Sequence, residues 1–359
     1  MIGTFAYNAL PGRVIFARNA LSRLPQELDA LGLKRVAILT TPQQVEQGES
    51  VGAIIGARQA THYSGARRHV PVEVVDEAAK AIAGADCLLA IGGGSTTGLA
   101  KALALRTNLS IVAVPTTYAG SEMTPIWGLT RSGVKTTGRD LRVLPKLVIY
   151  DPDLLATLPG PLVATSGMNA IAHCVEALYS ETANPVTSLM AEEGIRAIAG
   201  AMLRATLGED HLDARADVLY GAWLGGTVLG AVGMALHHKL CHTLGGSFDL
   251  PHAEVHTIII PHATAFNVSA APEAIGRVAR ALGVRSAEQA AGALFDLMVA
   301  SNVSTRLSDI GMKEADLDRA ADLATRNPYF NPRPIDRESI RCLLDDAYFG
   351  RRPGGQQPN

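Results

Sequence analysis

The sequence predicts an α/β protein with an open parallel sheet in the first part of the chain and helices in the rest. Three observations carry this. Short Val-, Ile- and Leu-rich runs alternate with helical patterns up to residue 151, a glycine-rich loop joins one of these runs directly to a helix, and from Pro161 onward the chain turns Ala- and Leu-rich. Residues 36–41 (VAILTT), 87–92 (CLLAIG), 110–115 (SIVAVP) and 147–151 (LVIYD) read as strands buried on both faces, because they are apolar throughout rather than alternating. Leu21 to Leu33 and Val72 to Ala83 carry helical periodicity between them. Beyond the proline-punctuated DPDLLATLPGP, residues 151–161, Gly and Pro mark helix ends, and β-branched runs are few before VHTIIIP at 255–261. The junction divides the chain into domains 1–157 and 158–359.

Composition excludes several classes. An apolar fraction of 47% with 18% charge supports a sizeable core, and a formal net charge of −2 with no basic stripe removes the case for nucleic acid. No apolar run reaches the roughly 20 residues that span a bilayer, and the start, MIGTFAYNALPGRVIF, shows no charged leader before an apolar core, so a cytoplasmic protein without membrane partners is expected. Cys87, Cys174, Cys241 and Cys342 are dispersed among apolar residues, the pattern of buried reduced thiols.

IGGGSTTGLAKALAL, residues 91–105, runs from a strand end into a helix. Gly92, Gly93 and Gly94 let the backbone approach a diphosphate without Cβ clashes, the helix N-terminus favours its negative charge, and Ser95 and Thr96 add hydroxyls. A second loop, VPTTYAGSEMTP at 114–125, follows the neighbouring strand and offers Thr116, Thr117 and Tyr118; the pair of loops points to a dinucleotide. Thr40 and Thr41 end the strand where an acid would favour NAD and an arginine NADP, so NADH with tolerance of NADPH is expected.

The segment 233–267 holds six of the ten histidines. His238 and His242, four apart, share a helix face, and LGGSFDLPH turns the chain so that His252 can approach the same spot; three imidazoles of this kind could hold a divalent transition metal. His237 is expected off the shared face, and His256 and His262 at strand ends or caps.

GGGS opening a helix, PTT, DPDLLATLP, GMNAIAHCVEALYS, HHKLCHTLGG, IPHATAFN and NPRP together resemble the iron-containing alcohol dehydrogenase superfamily, over nearly the whole chain. Within it, GGGSTTGLAK, VPTTYAGSEMTPIWGLT, HHKLCHTLGG and NPYFNPRPI are similar to the maleylacetate reductase family. The resemblance implies an N-terminal Rossmann-like domain, an all-helical C-terminal domain of the dehydroquinate synthase-like fold, an active site in the cleft between them, and a homodimer joined by the N-terminal segment TFAYNALPGRVIF. It also implies Lys135 near the cofactor. The Asp and three His that hold the ion in metal-dependent members map onto Asn169, His173, His238 and His252, and Gly98 stands where dehydrogenase relatives carry Asp.

A neutral amide at 169 is a poor partner for a dication, so no metal is expected. The activity implied is reduction of the C=C bond of maleylacetate, a small dicarboxylate, to 3-oxoadipate in aromatic-compound breakdown. A double bond conjugated to a ketone accepts hydride without a Lewis acid if donors stabilise the enolate. His242 is the first candidate for that donor, with His173, His238, His252 and Tyr329 lining the pocket. Lys239 and the run Arg67, Arg68, His69 are candidates for holding carboxylates. The alternatives are a metal-dependent alcohol or polyol dehydrogenase, a carbon–oxygen lyase such as dehydroquinate synthase, and a binding module that would fail to bind NADH.

Overall fold

Four apolar runs of the first half form the interior of one parallel sheet. The computed structural model describes residues 5–10, 12–132, 134–207 and 211–354 of the 359. Its strands in chain order are β1 (Arg13–Phe16), β2 (Val36–Leu39), β3 (Gln59–Tyr63), β4 (Cys87–Gly92), β5 (Ser110–Pro115), β6 (Ile126–Arg131), β7 (Val134–Arg139) and β8 (Leu147–Tyr150). The main sheet has the order β1-β8-β5-β4-β2-β3, every pair parallel. The helices α1 (Leu24–Ala30), α2 (Val45–Ile55), α3 (Val72–Ala81) and α4 (Gly94–Thr107) connect its strands. Side chains alternate between two cores. Ile38, Leu89, Ile91, Val112 and Ile149 pack with Leu24 and Leu28 of α1 on one face; Leu39, Leu88, Ala90 and Ile111 pack with Val75, Leu99 and Leu103 of α3 and α4 on the other.

The chain leaves β2 toward β3 on one side and places β4, β5 and β8 on the other. This makes the β2/β4 boundary the topological switch point, where open α/β sheets bind ligands at strand C-termini. Two features were not legible in the sequence. β3 is a polar edge strand, QATHY, with no apolar run, and β6 and β7 form a separate antiparallel pair whose described side chains are half-buried or exposed.

From Pro159 the chain is helical: α5 (Gly160–Tyr179), α6 (Pro185–Leu207), α7 (His211–Ala231), α8 (Leu236–Phe248), α9 (His252–Asn267), α10 (Pro272–Ala281), α11 (Ala287–Ala300), α12 (Leu317–Ala324) and α13 (Arg337–Phe349). Residues Ala9–Leu158 form one compact unit, and Pro159–Asn359 with the N-terminal residues through Asn8 another. α5 is the centre of the second. Its residues from Val163 to Tyr179 are buried with one exception, against α6, α7 and α9. VHTIIIP corrects the sequence expectation. It lies inside α9, and Ile258, Ile259 and Ile260 are fully buried, so tertiary burial overrides their β preference and even Pro261 is carried within the helix. Cys342 also departs from expectation: it lies exposed on α13, opposite the buried Ile340, Leu343 and Leu344, whereas the other three cysteines are buried. Among the described residues no single helix is long and apolar enough to cross a membrane.

Candidate active site

At the C-terminal edge of the main sheet, the loops after β2, β4 and β5 meet. Gly92 has φ +143°, and a Cβ there would stand 2.5 Å from Gln44 Oε1 and 2.6 Å from Thr96 Oγ1, so only glycine keeps this cradle open. Thr116 donates its backbone N–H to Gly92 O at 3.1 Å, and Gln44 donates to Thr116 Oγ1 at 2.7 Å, tying the three loops together. α4 begins at Gly94, capped at Gly93 without a side-chain acceptor, so its first N–H groups and dipole face the loop region. These residues fit the diphosphate of a dinucleotide.

Of the expected cofactor residues, Gly92, Gly93, Gly94, Ser95, Thr116 and Thr117 gather here. Thr40, Thr96 and Tyr118 turn inward: all three are fully buried, and Thr40 Oγ1 is hydrogen-bonded to His62 Nε2 at 2.9 Å. Lys135 lies on β7, and its side chain falls outside the described residues. Lys101 is a loop tether whose role sequence reading missed. Buried in α4, it donates to the carbonyls of Ser121, Thr124 and Ile126 at 2.7–2.8 Å, fixing the loop after β5; burial pushes its amine down to about 7, while Glu122 opposes that shift. Gly98, where relatives carry Asp, abuts Val70, whose Cγ2 would lie 2.7 Å from an added Cβ. Arg67, Arg68 and His69 are exposed on the loop just before that contact.

In the helical unit α5, α8 and α9 converge on a cluster of imidazoles. His173 of α5 stacks on His238 of α8 with ring centroids 5.3 Å apart, His238 lies 6.0 Å from His242 one turn on, and His252, the first residue of α9, lies 4.3 Å from His256. His242 is exposed, and its Nδ1 lies 3.1 Å from the Tyr329 hydroxyl. The Tyr329 loop is pinned by a reciprocal amide pair. Asn331 donates to Asn267 Oδ1 at 2.7 Å, Asn267 donates back at 3.0 Å, and Arg333 stacks on Phe266 at 4.1 Å. Lys239 Nζ stands 5.7 Å from the Tyr329 ring centroid, and partial burial lowers its pKa.

The structure brings together His173, His238, His242, His252 and Tyr329, and adds three residues. His256 corrects the sequence expectation, since it lies inside α9 and ends no strand; His237 leaves the face shared by His238 and His242 but is buried there beside Cys241 and joined, Nε2 to His256 Nδ1, at 3.0 Å. Adjacent residues of α8 both line the cluster because Glu176 of α5 meets His238 and His256 of α9 meets His237. Glu176 is the third, fully buried, with Oε2 2.7 Å from His238 Nδ1. Burial, then the mutual repulsion of neighbouring imidazolium charges, holds His173, His237 and His256 well below the usual histidine range.

Of the positions that an ion would use in metal-dependent relatives, one carries a neutral amide in place of a carboxylate here. Asn169 is buried with a neutral, unpartnered Oδ1, and His238 has Nδ1 engaged with Glu176, which leaves Nε2 as its remaining ring nitrogen. Among the described residues the three donor atoms found within 4.8 Å of one another belong instead to His237, Cys241 and His256. There the two imidazoles already bond each other, and burial pushes the thiol far above its usual value, away from the thiolate a metal needs.

Comparison with known proteins accords with this architecture. The iron-containing alcohol dehydrogenase family model matches residues 11–152, and the model of the C-terminal region of the Fe-containing alcohol dehydrogenase family matches 163–348. The maleylacetate reductase of Burkholderia cepacia is 53% identical over 98% of this chain and 100% of its own, and that of Sphingobium indicum 51% over 97% and 99%. The crystal structure of maleylacetate reductase from Agrobacterium tumefaciens superposes with a TM-score of 0.93 at 48% identity, covering 98% of this chain and 100% of that one. The chain is thus an oxidoreductase that belongs to the iron-containing alcohol dehydrogenase family and groups within it with the maleylacetate reductases.

Proposed function

We propose that this protein reduces the C=C bond of maleylacetate to give 3-oxoadipate, late in aromatic-ring breakdown, using NADH, with NADPH tolerated, and no metal. The observation that carries the reading is the exposed His242–Tyr329 pair beside buried imidazoles and a neutral amide at 169. The glycine cradle and the α4 N-terminus would hold NADH, which would supply hydride to the alkene carbon β to the ketone. The electron pair of the double bond moves onto the ketone oxygen as an enolate. His242 and Tyr329 stabilise that oxygen by hydrogen bonds, and a proton delivered from His242 to the α carbon completes the product. Lys239 offers a cation to a substrate carboxylate.

The test is NADH oxidation with freshly generated maleylacetate at neutral pH, on EDTA-stripped and untreated protein. Equal, rapid activity is expected. Activity in the untreated sample alone would support a metal-dependent dehydrogenase, for which the unpartnered Asn169 Oδ1 and His173 Nδ1 are the favourable observations. No activity in either would redirect the search to alcohols and aldehydes. The N-terminal segment through β1, whose sheet partner is β8, is proposed to join two copies into a homodimer, and a sedimentation mass of one chain would overturn that.

A further inference from the structure

We infer that Glu176 is a positioning residue that sets which ring nitrogen of His238 carries the proton and fixes the start of the helix that presents His242. Its bearing on turnover rests on the reading above; its geometry does not. Four donors converge on this one carboxyl. Ala235 donates its backbone N–H to Oε2 at 2.8 Å, His237 to Oε1 at 2.6 Å and His238 to Oε1 at 3.4 Å, and His238 Nδ1 lies 2.7 Å from Oε2. All four contacts are buried, with the Glu176 side chain fully shielded from solvent. An ionised carboxylate is acceptor-only, and its two oxygens can receive all four groups. A protonated carboxyl could fit only by turning its one O–H toward a bare Nδ1, whereas an amide, whose NH₂ accepts nothing, would turn an N–H toward a backbone N–H on whichever side it lay. The backbone N–H groups have no alternative state, and three of them donating to one group favours the carboxylate form; with a carboxylate, the remaining partner, Nδ1, carries hydrogen.

Nε2 is therefore the His238 atom left to face the chemistry. The same carboxylate replaces the missing side-chain cap of α8, whose N-cap residue is Ala235, and lies where the helix dipole favours negative charge. Because His242 stands one turn beyond His238, anchoring the first turn also sets the phase of His242 and hence its meeting with Tyr329. Glu176 thus couples a buried tautomer to an exposed donor.

The experiment uses full-length protein with ¹⁵N-labelled histidine, the His238 signals being assigned by their loss in His238→Asn. In the wild type Nδ1 is expected to be protonated; a bare Nδ1 would overturn the inference whatever the enzyme turns over. In Glu176→Gln, whose amide cannot accept from all four groups, the proton is expected to shift toward Nε2. kcat for maleylacetate should fall on the order of 10²-fold while KM for NADH stays within about twofold, and Glu176→Asp, still acceptor-only, should recover part of the loss. Unchanged kcat in the Gln variant would also overturn it. If that variant does not fold, the wild-type spectrum still decides. A protonated Nδ1 in an enzyme inactive on maleylacetate would support the positioning and overturn the substrate assignment.

Discussion

Replacing His242 by alanine is expected to lower kcat for maleylacetate on the order of 10²- to 10³-fold while the Kd for NADH stays within about twofold. The expectation follows from where the imidazoles sit. His173, His237 and His256 are buried and held neutral, so none can readily exchange a proton with a substrate near neutral pH, whereas His242 is exposed and paired with a phenol at 3.1 Å. A positioned acid typically contributes about 10² to 10⁴ in rate. Tyr329→Phe should cost less, about tenfold, because it removes one donor from the enolate and leaves the imidazole in place. Burial and the Glu176 charge both raise the Tyr329 pKa, so the phenol stays a donor throughout the working range. NADH binding, followed by quenching of its fluorescence, separates the effects: the glycine cradle and the α4 N-terminus are untouched by either change. A His242→Ala enzyme with wild-type turnover would take this residue out of the chemistry, and a large loss of NADH affinity would assign it to cofactor binding instead.

What the sequence revealed of this arrangement depended on whether each residue's partners are local. The four central strands were legible because a strand buried on both faces is apolar throughout, whatever surrounds it. β3 and the β6–β7 pair were not, since their polar residues sit at an edge or in a half-buried ribbon and their pairing is set by distant chain. His238 and His242 could be placed together from helical spacing alone. His237 could not, because spacing relates residues within one helix and says nothing of α9, which brings His256 to within 3.0 Å. Glu176 left a usable signal: it lies three residues after His173, one helical turn along α5, a carboxylate beside a candidate site histidine. Its partners, however, begin 59 residues away at Ala235, beyond any spacing argument.

The buried imidazoles also predict that the protein loses stability steeply on mild acidification. His262, in α9 and edge-on to Phe295, has its pKa pushed by burial from 6.5 down to about 4, and His173, His237 and His256 are displaced in the same direction. A histidine with a lowered folded pKa binds its proton more readily in the unfolded chain. Stability is then fully present above about pH 7, falls as pH drops through 6.5, and stops falling through that group only below its folded pKa. For His262 alone the loss by pH 5 is about 2 kcal/mol. The three others add losses of the same sign, against a total stability of roughly 5–15 kcal/mol for a folded domain. The unfolding free energy from urea titration is therefore expected to drop by at least the His262 share, about 2 kcal/mol, between pH 7.5 and pH 5, before the paired surface carboxylates such as Asp140 and Asp296 begin to titrate. His262→Phe separates the causes. It removes one titrating group from an apolar site, so its stability relative to wild type should improve on going from pH 7.5 to pH 5. A wild-type midpoint unchanged over that interval would mean that the cluster takes up protons while folded, and the neutral state assigned to these imidazoles would fall with it.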